Sequence, residues 1–161
     1  MTFFVGIDGG GTMPCVGPPF AMTNFVVQTS ENKISRMPYV YEDDSVLGFM
    51  ATHQPTVWMG DYGYVSVMPQ VGDLKLLPKE RALKYSHDNE ISKPHYYSVT
   101  MDVGNQKITG EIAATSRTGF FKFTYPKSNK SHLIIQGINI TENKKPFQGY
   151  LEIDVEKREI R

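Results

Sequence analysis

Between positions 53 and 61 the chain carries an imidazole, a carboxamide, an indole and a carboxylate: His53, Gln54, Trp58 and Asp61. Trp58 is the only tryptophan. An apolar wall with a few convergent polar groups is what a polar ligand with an apolar face requires. The indole suits the CH face of a sugar ring, and the other three suit its hydroxyls. Blander readings stand beside these. A sole tryptophan also serves a core, and Asp61 between Gly60 and Gly63 also shapes a turn. By type alone His53 also reads as a metal ligand, a general base or a purely structural histidine. His87, His95 and His132 are scattered and Cys15 is the sole cysteine, so no metal site made by this chain alone is expected. Glu42, Asp43 and Asp44 read as a solvated turn rather than a catalytic pair, because adjacent residues in a turn do not flank a bond. His87-Asp88-Asn89-Glu90 reads as a surface connection, and Arg117 as an anchor for a carboxylate within the fold.

These groups need a loop held between strands. The stretch Gly48 to Gly72 provides one: Pro55, Gly60, Gly63 and Pro69 punctuate it too often for a helix, and it is too aromatic for an idle connection. Strands are expected on its flanks, within Val46 to Thr52 and Tyr64 to Met68. Upstream, Phe3 to Ile7 and Met22 to Val27 read as strands, and Tyr39-Val40-Tyr41 is β-prone. Residues 73–95 are polar and mixed, with Pro78 to Tyr85 a short helix or an extended connection. From Tyr97 the period is two: Tyr97, Val99, Met101 and Val103 alternate with Ser98, Thr100 and Asp102. Gly104-Asn105 signals a turn, and Ile108 and Ile112 share a face of the next run. Gly119 to Tyr125, His132 to Gln136 and Leu151 to Val155 follow in the same manner. Strict alternation sets one face on a core and one toward water. Short strands separated by turns predict an all-β fold, an antiparallel β-sandwich. No repeat or linker divides residues 1–161, which read as a single domain. The final residues, Glu156 to Arg161, read as a strand cut short, so the sandwich is expected to be incomplete.

Composition narrows the function classes. Lysine plus arginine equal aspartate plus glutamate at 17 each, which gives no reason to expect nucleic acid or an anionic membrane as partner. No apolar run approaches the roughly 18 residues of a membrane span. No signal peptide is visible at the start. Two sequons, Asn129-Lys130-Ser131 and Asn139-Ile140-Thr141, lean slightly toward a secretory route.

The run Asp8-Gly9-Gly10-Gly11-Thr12 looks like the phosphate loop of actin-like sugar kinases, in which glycine amides cradle phosphate. Met13-Pro14-Cys15 and Pro18-Pro19 then interrupt the hairpin that such a fold requires, and no alternating strand–helix halves follow.

A second resemblance covers nearly the whole chain. Gly9 to Thr12, Pro19-Phe20-Ala21-Met22, Tyr39-Val40-Tyr41-Glu42-Asp43, Gly48-Phe49 with Thr52-His53-Gln54-Pro55, and Trp58-Met59-Gly60-Asp61-Tyr62-Gly63 occur in order. Met68-Pro69, His87 with Glu90, Tyr96-Tyr97-Ser98-Val99 and Ala114-Thr115-Ser116-Arg117 continue the series. In these the chain resembles the N-terminal domain of glycoside hydrolase family 92, the exo-acting α-mannosidases. It departs from the family at Met13-Pro14-Cys15, where Phe-Pro-Gly is common, and at Ala21, where glycine is common. The resemblance implies a supersandwich-like N-terminal β-domain paired with a helical catalytic domain absent from this chain. It implies inverting hydrolysis of terminal α-mannosides, with a calcium ion that helps distort the sugar. The catalytic carboxylates and main calcium ligands would lie on the helical domain. This chain would then hold no catalytic residue and no metal, and His53, Gln54, Trp58 and Asp61 would contact a mannose-containing glycan. A free-standing, non-catalytic carbohydrate-binding module is the alternative reading.

Overall fold

The computed structural model describes residues 13–30, 37–53, 64–137 and 150–161. In chain order the elements are β1 (Asn24–Gln28), β2 (Ser45–Val46), β3 (Gly48–Thr52), β4 (Tyr64–Val71), α1 (Pro78–Arg81), β5 (Leu83–Lys93), β6 (Tyr96–Val103), β7 (Gln106–Ala114), β8 (Gly119–Thr124), β9 (Ser131–Gln136), β10 (Ile153–Asp154) and β11 (Glu159–Ile160). One sheet has the order β1-β3-β4-β9 and another the order β2-β5-β6-β7-β8, with every pairing antiparallel. The all-β antiparallel architecture matches the expectation from alternation. The expected strand at Phe3 to Ile7 and the Asp8 to Thr12 loop lie outside the described residues. Among the described residues no helix is long and apolar enough to cross a membrane.

The two sheets stack through aromatic side chains. Phe49 of β3 meets Phe121 and Phe123 of β8 edge-on, with centroids 6.4 and 5.0 Å away, and Phe25 of β1 meets Phe121 at 5.9 Å. Edge-to-face packing at such separations is favourable. Two glycines make room for the rings. A Cβ on Gly110 would lie 2.2 Å from Phe49 Cζ, and one on Gly119 would lie 2.1 Å from Phe25 Cε1. Tyr97, Val99, Met101, Ile108 and Ile112 fill the space between and are fully buried. The β6–β7 hairpin closes at Gly104, whose φ of 59° suits glycine.

Three expectations shift. Tyr39-Val40-Tyr41 forms no strand; the segment is pinned to the end of β1, with the Val40 amide donating to Thr29 Oγ1 at 2.8 Å and the Thr29 amide to the Pro38 carbonyl at 2.9 Å. Residues 83–93, expected as part of a polar connection, form the longest strand among the described residues. The alternation from Leu151 to Val155 leads only to a two-residue strand in the β10–β11 hairpin, and Leu151, Ile153 and Val155 stay exposed. Alternation sorts side chains onto two faces without naming what covers either.

Candidate functional site

The loop that carries the four proposed contacts joins β3 to β4, and its base is firmly set. Thr52 pairs with Asn24 of β1 on one side and Tyr64 of β4 on the other, and it is fully buried. The chain therefore leaves and re-enters the sheet at one corner. His53 stands just past this corner, exposed, with Nε2 3.1 Å from Thr23 Oγ1. That contact ties the start of the loop to the segment entering β1. Gln54, Trp58 and Asp61 lie outside the described residues.

The segment that supplies Thr23 has a feature not read from sequence. Phe20 is fully exposed and its φ is 63°, the left-handed region that non-glycine residues rarely adopt. The turn around it is closed by the Ala21 amide donating to the Pro18 carbonyl at 3.1 Å and the Met22 amide to the Ser116 carbonyl at 2.9 Å. Strained backbone held by its surroundings gathers at functional sites. This exposed aromatic lies three residues before Thr23, the partner of His53.

A second constellation centres on Glu90. From Tyr85 to Glu90 the chain of β5 advances five residues, while its partners on β6, Met101 and Val99, are only two apart. A regular strand would place positions 85 and 90 on opposite faces. The bulge instead turns both toward the interior. Glu90 Oε1 accepts from Tyr97 at 2.6 Å and from Tyr39 at 3.1 Å; Oε2 lies 2.6 Å from His87 Nδ1. The other nitrogen of His87, Nε2, is 2.8 Å from the Tyr41 carbonyl, and its ring stacks on Tyr41 with centroids 4.0 Å apart. Burial, followed by the charge of Glu90, pushes the phenols of Tyr39, Tyr85 and Tyr97 far above the usual tyrosine range. They remain proton donors at any working pH. A carboxylate so fully engaged by donors is a buttress for residues 39–41 and not a free base.

The expected surface connection at His87 to Glu90 is thus corrected: the Glu90 side chain is only 8% exposed, because the bulge inverts its face. The solvated turn at Glu42 to Asp44 is found in part: Glu42 and Asp44 are exposed, with Asp44 paired to Lys84, whereas Asp43 is half-buried and its Oδ2 is shielded from solvent. That partner holds the Asp44 carboxyl below the usual range. Arg117 is exposed rather than anchoring a carboxylate inside the fold. Among the described residues no three histidine, cysteine, aspartate or glutamate side chains gather closely enough to hold a metal ion. Burial pushes the Cys15 thiol up to about 12, which makes it inert at neutral pH.

Residues 2–161 match the family described as "Glycosyl hydrolase family 92 N-terminal domain". A search of the curated proteins finds no match. Among solved structures, the inverting mannosidase BT2199 of family GH92 from Bacteroides thetaiotaomicron is 37% identical, with a TM-score of 0.71 over 79% of this chain and 17% of that one. The GH92 α-mannosidase BT3965 from the same organism, solved in complex with mannoimidazole, is 26% identical, with a TM-score of 0.67 over 77% of this chain and 17% of that one. This chain therefore spans less than a fifth of the length of either.

Proposed function

The chain belongs to glycoside hydrolase family 92, and on that footing we propose that it is the substrate-pocket-shaping domain of an α-mannosidase acting on terminal α-mannosides. The family match across residues 2–161 carries the proposal. Similarity to two mannosidase structures, one of them holding mannoimidazole, supports mannose as the sugar.

In this reading the β3–β4 loop forms one wall of a shared pocket. Trp58 offers an apolar face to the ring, while His53, Gln54 and Asp61 hydrogen-bond its hydroxyls or hold the loop. Thr23 fixes His53 at the corner of the sheet. A site built from the end of paired strands is held more rigidly than one on a free loop.

The acid and base of the reaction are assigned to a helical domain outside this sequence. An inverting reaction needs one carboxylic acid at the leaving oxygen and one carboxylate that activates water on the opposite face. Glu90 is saturated by internal donors, and Asp44 is engaged by Lys84 and Ser45, so neither is offered for those roles. Calcium, which the resemblance implies, would be held in the same place. The described residues bring together no ligand set for it.

The test is an assay of the longest natural chain containing this sequence on mannobioses of different linkage, with and without a calcium chelator. Chelator-sensitive release of mannose with inverted anomeric configuration is expected. Absence of mannose release from every linkage would overturn the reading.

A further inference from the structure

Hydrogen-bond geometry fixes how many protons the His87–Glu90 pair holds. His87 Nε2 lies 2.8 Å from the Tyr41 carbonyl, which only accepts, so Nε2 carries a proton. Nδ1 lies 2.6 Å from Glu90 Oε2. Glu90 also accepts from Tyr97 at 2.6 Å and from Tyr39 at 3.1 Å, and such donors favour its ionised form. Two lone pairs do not face one another at 2.6 Å, so a second proton stands between Nδ1 and Oε2. The ring is therefore an imidazolium that donates to Glu90 at one nitrogen and to the Tyr41 carbonyl at the other.

The surroundings suit a cation. The ring stacks on Tyr41 with centroids 4.0 Å apart and meets Tyr85 edge-on at 5.2 Å. With Glu42, Asp43 and Asp44 these side chains line a cavity of about 430 Å³ beside β5, and among the described residues lining it there is no lysine or arginine. Lys84 of β5 is paired with Asp44. The His87 side chain is 33% exposed and that of Glu90 8%, so solvent reaches the ring while the carboxylate stays inside.

From this arrangement we propose that His87 is a proton-dependent latch that fastens residues 41–44 to β5. Loss of the Nδ1 proton leaves the lone pairs of Nδ1 and Oε2 opposed. Turning the ring to bring Nε2–H to Glu90 gives up the Tyr41 carbonyl, and keeping that carbonyl gives up Glu90. Either way one of the two ties breaks and the segment loosens. Tyr39 and Tyr97 still donate to Glu90, so the opening stays local. The latched state holds one proton more than the open one, so rising pH favours opening. Histidine is the side chain suited to such a change near neutrality.

Hydrogen–deuterium exchange of the full-length protein, read by mass spectrometry at about pH 6 and about pH 9 with labelling times scaled for intrinsic rates, tests this. The Val40 amide is bonded to Thr29 Oγ1 and the Asp43 amide to the Val40 carbonyl. Protection of peptides covering these amides should fall about tenfold at the higher pH, as expected for one lost buried hydrogen bond. Peptides from the β6–β7 hairpin should keep theirs. His87→Gln, which cannot gain or lose the proton, should exchange at the faster rate at both pH values. Equal protection of the wild-type segment at the two pH values overturns the latch. A pH dependence that survives in His87→Gln overturns it as well, and so does a loss shared by the hairpin, which is general destabilisation. If His87→Gln does not fold, the wild-type segment and hairpin compared at the two pH values still decide.

Discussion

Tyr97 of β6 donates its hydroxyl to Glu90 of β5 at 2.6 Å, inside the sandwich, although strict alternation along β5 from Tyr85 would send Glu90 to the surface. The bulge between them is what makes the contact. Removing the carboxylate leaves the Tyr97 and Tyr39 hydroxyls and His87 Nδ1 without their acceptor. Glu90→Ala should cost about 3 kcal/mol or more in urea unfolding, since each buried donor left unmet costs about 1–3 kcal/mol. Glu90→Gln, which keeps an acceptor oxygen, should cost less. Equal stability of both variants and the parent would show that the cluster contributes nothing.

The same cluster sets an alkaline limit. The phenols of Tyr39, Tyr85 and Tyr97 are raised by burial and by Glu90, whereas in the unfolded chain they ionise near pH 10. A group whose folded value is raised adds stability that is complete below the unfolded value and falls away as pH climbs above it. Stability should therefore drop steeply above about pH 10, with the tyrosinate absorbance of these residues appearing together with loss of circular dichroism. Their titration in a chain that is still folded would contradict the burial.

Close approach of the sheets gives a third test. Phe49 passes over Gly110 with no room for a methyl group. Gly110→Ala should destabilise by about 1–3 kcal/mol, as overpacking does. Phe49→Leu in the same chain should recover part of that loss, and strict additivity of the two changes would refute the proposed clash.

Phe20 holds a left-handed backbone with its whole ring exposed. Its left-handed backbone favours glycine by about 1 kcal/mol or more. Phe20→Gly should raise the melting temperature while lowering kcat/KM for a mannoside, if the exposed ring serves the pocket corner. A gain in stability with unchanged kinetics would leave the strain without a role there.

The sequence made some of this plain and hid the rest for physical reasons. β6, β7 and β8 were readable because Tyr97 to Val103 and Ile108 to Ile112 keep one parity from end to end. β5 was not, because its bulge breaks parity between Tyr85 and Glu90 and disguises a strand as a polar connection. The β3–β4 loop was read as a site from residue types alone; Gln54, Trp58 and Asp61 lie outside the described residues, and the structure adds the hydrogen bond between Thr23 and His53. Phe20 was noticed only within the stretch Pro19-Phe20-Ala21-Met22, and its left-handed turn had no signal beyond two preceding prolines, since the sign of φ is not written in the residue type.

The central claim is that the β3–β4 loop forms a wall of the mannoside pocket while catalysis lies elsewhere. Steady-state kinetics of Trp58→Ala in the full-length enzyme, on an aryl α-mannoside, tests it most directly. A loss in kcat/KM of about tenfold or more is expected, near 1.4 kcal/mol of transition-state binding, with unfolding unchanged. Wild-type kcat/KM in a folded variant would contradict it.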